Sequence, residues 1–396
     1  MSHSERDVPA LTERSRRQLT AAGLALIAAC YGLARFAYGV FVPAFREEFG
    51  LGSAVTGAIA SGSFVSYCLA IVAASLLTPR FGGKRVAVAA GVVATVGTLT
   101  IASAPNAAVL AVGVLVAGSS TGIASPPLAH AVAHTVAERS RDRTQTVINA
   151  GTGVGIMLAA PIALLASDEW RLAWFTFALA CALVTAWVAW AVPAGESGST
   201  EGARSLLPTP LLPAGASTLL IAAVTAGFAS SAVWTFGRDV LVTEGGLSEG
   251  ASLSTWALLG AFGVLGATAG DLARHLGLRA SWTITMLAMG AATLLMGLFP
   301  GILSIAWLAA AMFGASYIAL SGLLLLWGTR VFPDSPAAGV GVAFLALALT
   351  QATGSATVGV LVDSNADCAF VITAFVAVVG GFARAPRVSC MADSPT

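Results

Sequence analysis

The chain has 396 residues, of which 57% are apolar and only 10% are charged, and its net charge is +1. A soluble globular protein carries about 25% charged residues, so this composition excludes a water-facing surface of ordinary polarity. The near-neutral balance also excludes a strongly basic surface for nucleic acid, and a lipid bilayer is therefore the expected solvent.

Twelve apolar segments follow one another along the chain, and each can cross a bilayer core of about 30 Å as a helix. The predicted spans of the first half are 19–45, 53–77, 86–104, 106–134, 144–166 and 172–192. Those of the second half are 214–238, 249–271, 280–299, 302–330, 337–362 and 366–382. The sequence therefore predicts an all-α membrane protein with six helices in residues 19–192 and six in residues 214–382.

Polar segments separate and flank these two halves. Residues 1–18 are predicted to form a cytoplasmic tail, and residues 383–396 a second one. Residues 193–213 are rich in Gly and Pro and carry no apolar period, which predicts a linker between the halves.

The distribution of Lys and Arg predicts how the chain is oriented. With residue 1 in the cytoplasm, sixteen of the 20 Lys and Arg residues lie in cytoplasmic segments, three in outer segments and Arg35 inside a span. Cytoplasmic loops of membrane proteins are enriched in these residues. Because the loss of one span would invert every later loop, the bias predicts twelve spans in the cell membrane with both termini cytoplasmic.

The two halves repeat each other. Residues 80–85, RFGGKR, follow the second span, and residues 274–279, RHLGLR, follow the eighth. An offset of 195 residues, which aligns Pro79 with Arg274, also aligns Gly32 of the first span with Gly227 of the seventh. Parallel repeats of six helices are typical of secondary transporters, so the two predicted bundles are expected to be pseudo-symmetric.

The loop at residues 75–85, SLLTPRFGGKR, resembles the signature G-x-L-A-D-R-x-G-R-R of the major facilitator superfamily. Residues 270–279, GDLARHLGLR, resemble it again, and residues 168–175, DEWRLAWF, resemble the W-R-x-x-F motif of the same family. Residues 32–39, GLARFAYG, are similar to a poorly characterised bacterial branch with an R-F-A-Y core in the first helix. The resemblance implies a two-bundle carrier that works by alternating access, without a cofactor.

The resemblance also implies a gate between the halves at the signature loops. The gate residues carried over are Arg80, Lys84, Arg85, Asp271 and Arg274. In the family an acidic loop residue pairs across the cytoplasmic gate, but here Pro79 occupies the acidic position of the first copy and Arg274 that of the second. Asp271 lies three positions earlier than the second of these, which implies a shifted pair.

A run of glycines in the fifth span resembles the family's Gly-rich antiporter motif. It comprises Gly151, Gly153 and Gly155. These glycines predict close helix packing at the interface of the halves, with a possible part in gating.

Arg35 is the most informative residue of the first span. It lies about 24 Å along the helix axis, and a charge at such a depth costs at least about 2.5 kcal/mol. The spans contain no Asp or Glu near mid-membrane that could pair with it. A substrate carboxylate or another anion could supply the partner; snorkelling to the interface, or hydrogen bonds to backbone carbonyls near Gly32 and Gly39, are the structural alternatives.

Several other side chains fall near the same depth and are candidates for binding the substrate. They are Tyr31, Tyr38, Ser120, Ser230, Trp234, Tyr317 and Gln351. A site lined by aromatic rings with a few polar groups suits a small organic molecule. Packing between helices is the alternative role for each of them.

The predicted function is transport of a small, anionic or acid-bearing organic solute by a secondary active or facilitative carrier. A cationic solute would need a buried carboxylate, and none is apparent. A drug or metabolite efflux carrier of the proton-antiport type and a non-transporting membrane sensor stay open as alternatives. An enzyme is not expected, because the four His residues are scattered and no metal-ligand spacing is present. The expected partners are the substrate, lipid and a possible coupling proton, with the chain as a monomer.

Overall fold

The computed structural model describes residues 13–166, 169–192, 212–333 and 336–382. Almost all of these residues are helical. In the first half, the helices are α1 Glu13–Phe49, α2 Ser53–Phe81, α3 Gly83–Ala102, α4 Ala107–Thr135, α5 in two parts, Glu138–Asn149 and Gly151–Leu165, and α6 Trp170–Ala191. In the second half, they are α7 Ala216–Thr243, α8 Glu249–Leu276, α9 Leu278–Leu298, α10 Leu303–Val331, α11 Pro336–Val362 and α12 Ala366–Gly381.

Eleven of the helices in these ranges, α1 to α11, are long and apolar enough to cross a membrane. The twelfth predicted span corresponds to α12, which is apolar but has only 16 residues. The prediction of an all-helical, multi-pass membrane protein is confirmed. Residues 193–211 of the predicted linker, residues 1–12 and the whole C-terminal tail lie outside the described residues.

The first helix begins at Glu13, within the segment predicted to be a tail. Glu13 forms ion pairs with Arg16 at 2.6 Å and with Arg17 at 2.9 Å. These residues are three and four positions apart, the spacing at which side chains of opposite charge stabilise a helix turn. The helix therefore extends beyond the apolar segment predicted from residue 19, because an apolar window does not detect a polar extension of a helix.

The middle of α1 departs from α-helical geometry. Residues Ala28–Phe36 form a π-helical segment, and Arg35 lies in its last turn. Such wide turns are rare and are found preferentially at functional sites. A shorter irregularity, the 3-10 segment Val264–Thr268, interrupts α8.

Helices α1, α7 and α10 lie in the interior of the molecule. In the most apolar stretch of each of these helices, 89%, 72% and 72% of the residues are buried, against 39% in α6. Large apolar side chains on outer helices face outward instead, such as Leu165, Trp190 and Phe375. A helix that is apolar all round is enclosed by other helices or by lipid, and both cases occur here.

Three helix pairs form most of the contact between the first six helices and the last six: α1 with α7, α2 with α11, and α5 with α8. Glycine lies at a close approach in all three, including Gly39 of α1 against α7. A Cβ at Gly57 of α2 would come within 3.0 Å of Gly359, and a Cβ at Gly153 of α5 would come within 2.9 Å of the carbonyl oxygen of Gly260. Small residues of this kind let membrane helices approach closely, so these pairs touch along their backbones.

Gly32 sets the distance between α1 and α5 within the first half. A Cβ at this position would overlap the backbone of Gly155 and Ile156. The two helices therefore pack through facing glycines, which places the π-helical segment directly against α5.

Replacing Gly32 with Val is expected to lower the melting temperature in detergent by several degrees. Overpacking costs about 1–3 kcal/mol where side chains can yield, and backbone atoms yield less. Gly341→Ala is the control, because a Cβ there has no neighbour within 4 Å. Equal melting temperatures for Gly32→Val and the wild type would contradict this packing.

Candidate functional site

A narrow cavity lies between α1, α2, α5, α10 and α11, so both halves contribute to its wall. Its lining consists of Tyr31, Arg35, Phe36, Tyr67, Asn149, Thr152, Tyr317, Ile318, Ser321, Phe344, Leu347, Ala348 and Gln351. The volume of this cavity is only about 20 Å³. That is room for about one water molecule, so a solute enters only when the lining helices move apart.

Arg35 is the charged residue of this cavity, and it is 7% exposed. Its Nη1 donates a hydrogen bond to Thr121 Oγ1 at 3.3 Å. Its Nε and Nη2 are buried and have no hydrogen-bond partner. Among the described residues Arg35 forms no ion pair, so two of its three nitrogens are left with unused donors.

Aromatic rings surround the guanidinium. Its Cζ lies 4.3 Å from the ring centre of Phe64, 4.6 Å from that of Tyr67 and 5.3 Å from that of Phe36. A cation over an aromatic face gains about 0.5–2 kcal/mol, more when it is desolvated. The rings therefore offset part of the cost of burying the charge but leave its N–H groups unpaired.

A polar group from α11 faces this aromatic wall. Gln351 Nε2 donates hydrogen bonds to Tyr317 Oη and to Ser230 Oγ, each at 3.0 Å. At the Asn149 end of the cavity, Asn149 Nδ2 donates to Ser321 Oγ at 3.3 Å and links α5 to α10. Both halves thus supply neutral donors and acceptors next to the single cation.

Trp234 of α7 holds two of the lining rings in place. Its ring stacks on Phe36 with centroids 4.0 Å apart and meets Tyr317 edge-on at 5.0 Å. Phe313 packs edge-on against the same indole at 5.4 Å. Such pairs contribute about 0.5–1.5 kcal/mol each beyond area burial, so the wall is fixed before any solute arrives.

The structure brings together six of the eight residues predicted to bind substrate. Arg35, Tyr31, Tyr317 and Gln351 line the cavity, and Ser230 and Trp234 contact residues that line it. Tyr38 lies elsewhere, because its hydroxyl donates to the carbonyl oxygen of Thr56 at 3.0 Å. Ser120 also lies elsewhere, fully buried, with its hydroxyl bonded to Ala117 of its own helix at 2.6 Å.

Two of the rings at the guanidinium, Phe64 and Tyr67 of α2, were not among the residues predicted to form the site. They are three positions apart and so share a helix face. Tyr67 could have been noticed, since the chain has only four Tyr and this one lies inside an apolar span. No feature of the sequence told which helix face would meet Arg35.

A second polar cluster lies at the end of the molecule where α1 and α7 finish. This end is called the closed end here, because the cluster joins the two halves. Arg46 Nη1 forms an ion pair with Asp239, whose side chain is 1% exposed. Arg238, also buried, donates to the backbone carbonyl of Val40 and, through Nη2, to Glu249 Oε1 at 3.3 Å. Because Arg46 and Val40 belong to the first half and the other residues to the second, this cluster joins the halves.

Asp363, just after α11, joins the halves at the same end. The backbone N–H of Ser53 at the start of α2 donates to Asp363 Oδ1 at 3.3 Å. Hydrogen bonding from Ser53 lowers the pKa of this carboxyl below its ordinary value. The carboxylate form therefore favours the closed end.

The predicted gate residues lie at the opposite ends of the helices. Asp271 pairs with Arg274 of its own helix at 2.5 Å, and both are exposed, so this pair does not bridge the halves. Arg80 and Arg85 are exposed and Lys84 is half-buried. Within the described ranges none of these three forms an ion pair.

The predicted glycines divide between two interfaces. Gly153 faces Gly260 and Val264 of α8 across the boundary between the halves. A Cβ at Gly151 or Gly155 would instead overlap the backbone of α1. Only one of the three therefore lies where the sequence placed all of them.

The chain matches the sequence profile of the Major Facilitator Superfamily over residues 24–355. The chain belongs to the major facilitator superfamily. It is a membrane transporter rather than an enzyme.

Two solved structures share this fold. A crystal structure of a mutant of the nucleoside transporter NupG is 13% identical, with a TM-score of 0.72 over 93% of this chain and 98% of that chain. A bacterial homologue of the human lysosomal transporter Spinster, in an inward-facing and occupied conformation, is 16% identical, with a TM-score of 0.73 over 94% of this chain and 96% of that one. At these identities the likeness concerns the fold alone.

A curated relative from Corynebacterium glutamicum is named a gentisate transporter. It is 29% identical to this superfamily member over 136 residues, which are 34% of this chain. The match spans 31% of the relative's own length.

Replacing Arg46 with Ala is expected to destabilise the protein in detergent, because it leaves the carboxylate of Asp239 buried without a cation. Breaking a fully buried pair on one side costs about 3–5 kcal/mol, and a loss at or below the lower end is expected here because the Arg46 side chain is 26% exposed. Arg171→Ala is the control: Arg171 pairs with Glu48 at 2.6 Å, but both are 36% exposed, and such pairs contribute about 0–1 kcal/mol. Arg171 also donates to the carbonyl oxygen of Ala104 at 3.0 Å, so the control is expected to lose some stability, but less than Arg46→Ala.

Adding Asp239→Asn to the Arg46→Ala variant is expected to recover part of the lost stability, since the unpaired charge is removed. The measurement is the melting temperature of all four proteins at one pH. Equal losses for Arg46→Ala and Arg171→Ala would show that the buried pair does not hold this end closed.

Proposed function

We propose that this protein carries a small organic anion with a carboxylate group across the cell membrane, and that Arg35 holds the carboxylate. The observation that carries the proposal is which donors of Arg35 are free. Nε and Nη2 lie on one edge of the guanidinium, and the N–H groups of that edge form the fork that donates to the two oxygens of a carboxylate side by side. Thr121 occupies only the other nitrogen, Nη1.

The electrostatics favour an anion over a cation. A buried guanidinium with unused N–H groups is costly, and an anionic solute would remove that cost on binding. A cationic solute would add a second positive charge to a cavity whose lining contains no Asp or Glu. The described wall therefore favours a solute of opposite charge to Arg35.

Helix contacts support the proposal of two pseudo-symmetric six-helix bundles, residues 19–192 and 214–382. The second helix of each half contacts the fifth helix of the other, as α2 with α11 and α8 with α5. This exchange is what a two-fold axis along the membrane normal requires. Alternating access would then rock one bundle against the other around the cavity.

The gate of this carrier is proposed at the closed end, where Arg46 and Asp239 join the halves. The charge count of the loops supports placing this end outside and both termini in the cytoplasm. For the opposite gate, Arg80, Lys84 and Arg85 stay candidates from the resemblance. We propose a monomer, and a proton as coupling ion only if a carboxyl such as Asp239 takes part.

The curated relative supports the solute class. Its name, gentisate transporter, describes a carrier of an organic anion. The matched segment is only about a third of each protein. The relative therefore supports the charge of the proposed solute but not its identity.

Binding of three matched compounds tests the proposal. Benzoate is expected to bind the detergent-solubilised protein, while benzamide, its neutral analogue, and benzylamine, a cation, are expected to bind much more weakly. Arg35→Ala is expected to weaken benzoate binding about tenfold to a hundredfold, because hydrogen bonds to charged groups contribute about 1.5–3 kcal/mol. Arg35→Lys should fall between, since it keeps the charge but loses the fork.

The control for these variants is Arg330→Ala, which removes an exposed guanidinium at the end of α10. It should bind benzoate like the wild type. Calorimetry gives the affinities, and counterflow of labelled benzoate in liposomes separates a carrier from a sensor. If benzylamine binds the wild type as well as benzoate does, or Arg35→Ala keeps full benzoate affinity, the anion proposal is wrong.

A further inference from the structure

We infer that the solute is a flat aromatic acid with a single carboxylate. Its ring lies in the aromatic slot formed by Phe36, Phe64 and Tyr67, which already holds the Arg35 guanidinium. The inference rests on the proposed function and narrows its solute class. It follows from the shape of the slot, the composition of its wall and the count of charges within it.

The slot already holds one planar group. The guanidinium of Arg35 is flat, and its Cζ lies 4.3 Å and 4.6 Å from the ring centres of Phe64 and Tyr67. A carboxylate that meets the Nε and Nη2 fork lies in the guanidinium plane. In an aromatic acid the ring is conjugated with the carboxylate and nearly coplanar with it, so the ring extends the same flat layer. A saturated ring is thicker and would need a wider separation of the helices.

The wall is unusually aromatic for this chain. Aromatic residues are 8% of the sequence, yet Tyr31, Phe36, Tyr67, Tyr317 and Phe344 are five of the thirteen lining residues. Three of the four tyrosines in the chain are among them. Aromatic pairs gain energy beyond apolar burial, so the wall favours an aromatic ring over an aliphatic group of equal area.

The ring of Phe36 is the surface on which we place the solute ring. Trp234 covers one face of Phe36 with centroids 4.0 Å apart, and the Cζ of Arg35 lies 5.3 Å from the Phe36 centroid. Phe36 follows Arg35 directly in the chain, so the fork and the stacking surface come from adjacent residues of the π-helical segment. Binding would thus pay little to order this part of the site.

The charge count limits the solute to one carboxylate. Arg35 is the only Lys or Arg among the lining residues. A second carboxylate on the ring would be buried without a cation, which is costly. Neutral polar substituents are tolerated, because Tyr317 accepts from Gln351 at 3.0 Å and keeps its own hydroxyl proton to donate.

Benzoate and cyclohexanecarboxylate are the probes that test the inference, since they share the carboxylate and the six-membered ring and differ in aromaticity. Calorimetry on the wild-type protein in detergent is expected to show benzoate binding about threefold to tenfold tighter. Isophthalate, which adds a second carboxylate to the same ring, is expected to bind at least about tenfold more weakly than benzoate.

Phe36→Leu is expected to reduce the preference for benzoate to less than about twofold while changing cyclohexanecarboxylate binding little, because only the aromatic contact is lost. Phe375→Leu is the matched control, since Phe375 is 66% exposed on an outer helix. It should keep the wild-type preference. If Phe36→Leu does not fold, the ratio measured on the wild type still decides.

Equal affinities for benzoate and cyclohexanecarboxylate in the wild type would overturn the aromatic inference and leave the proposed carboxylate carrier intact. Isophthalate binding as tightly as benzoate would overturn the limit to one carboxylate. Benzylamine or benzamide binding as tightly as benzoate would instead overturn the proposed function itself. The two failures are therefore distinguishable in one set of titrations.

Discussion

Burial of one guanidinium without an ion pair is the constraint on which the site depends. Arg35 lies inside a membrane helix, and the described protein gives it one hydroxyl and three aromatic faces. An unpaired charge in such surroundings costs several kcal/mol, about as much as the ordinary margin of protein stability. A protein can keep such a residue at this cost when its function needs it, and here the free edge has the geometry of a carboxylate receptor.

The two ends of the molecule are held in different ways. At one end, Arg46 pairs with the buried carboxylate of Asp239 across the halves, and Arg238 adds a bond to the backbone of α1. At the other end, Asp271 and Arg274 pair within one exposed helix turn. Buried charged contacts specify a geometry strongly, while exposed ones contribute little. In this conformation, charged side chains therefore join the halves at the end that contains Arg46.

The helix pairs that join the halves are built for close contact. Gly57 and Gly153 let backbones touch where larger side chains would hold them apart. Contacts of this kind have few interlocking side chains, so helices can slide or rock on them at a lower cost than on a deeply interdigitated surface. In the proposed alternating access, the glycine-lined interface between the halves would move. The polar contacts that join the halves lie near one end of this interface.

Periodicity, composition and charge asymmetry determined that this chain is a helical membrane protein, because the bilayer imposes span length and loop charge directly on the sequence. The sequence also placed Arg35 inside the first span, since that is a matter of counting residues, but it left snorkelling to the interface open; the tertiary structure decided that Arg35 is buried. Only the tertiary structure decided that Phe64 and Tyr67 face it while Tyr38 turns away to Thr56. A uniformly apolar helix carries little moment to orient it, so the face that meets a neighbour is set by packing between distant segments.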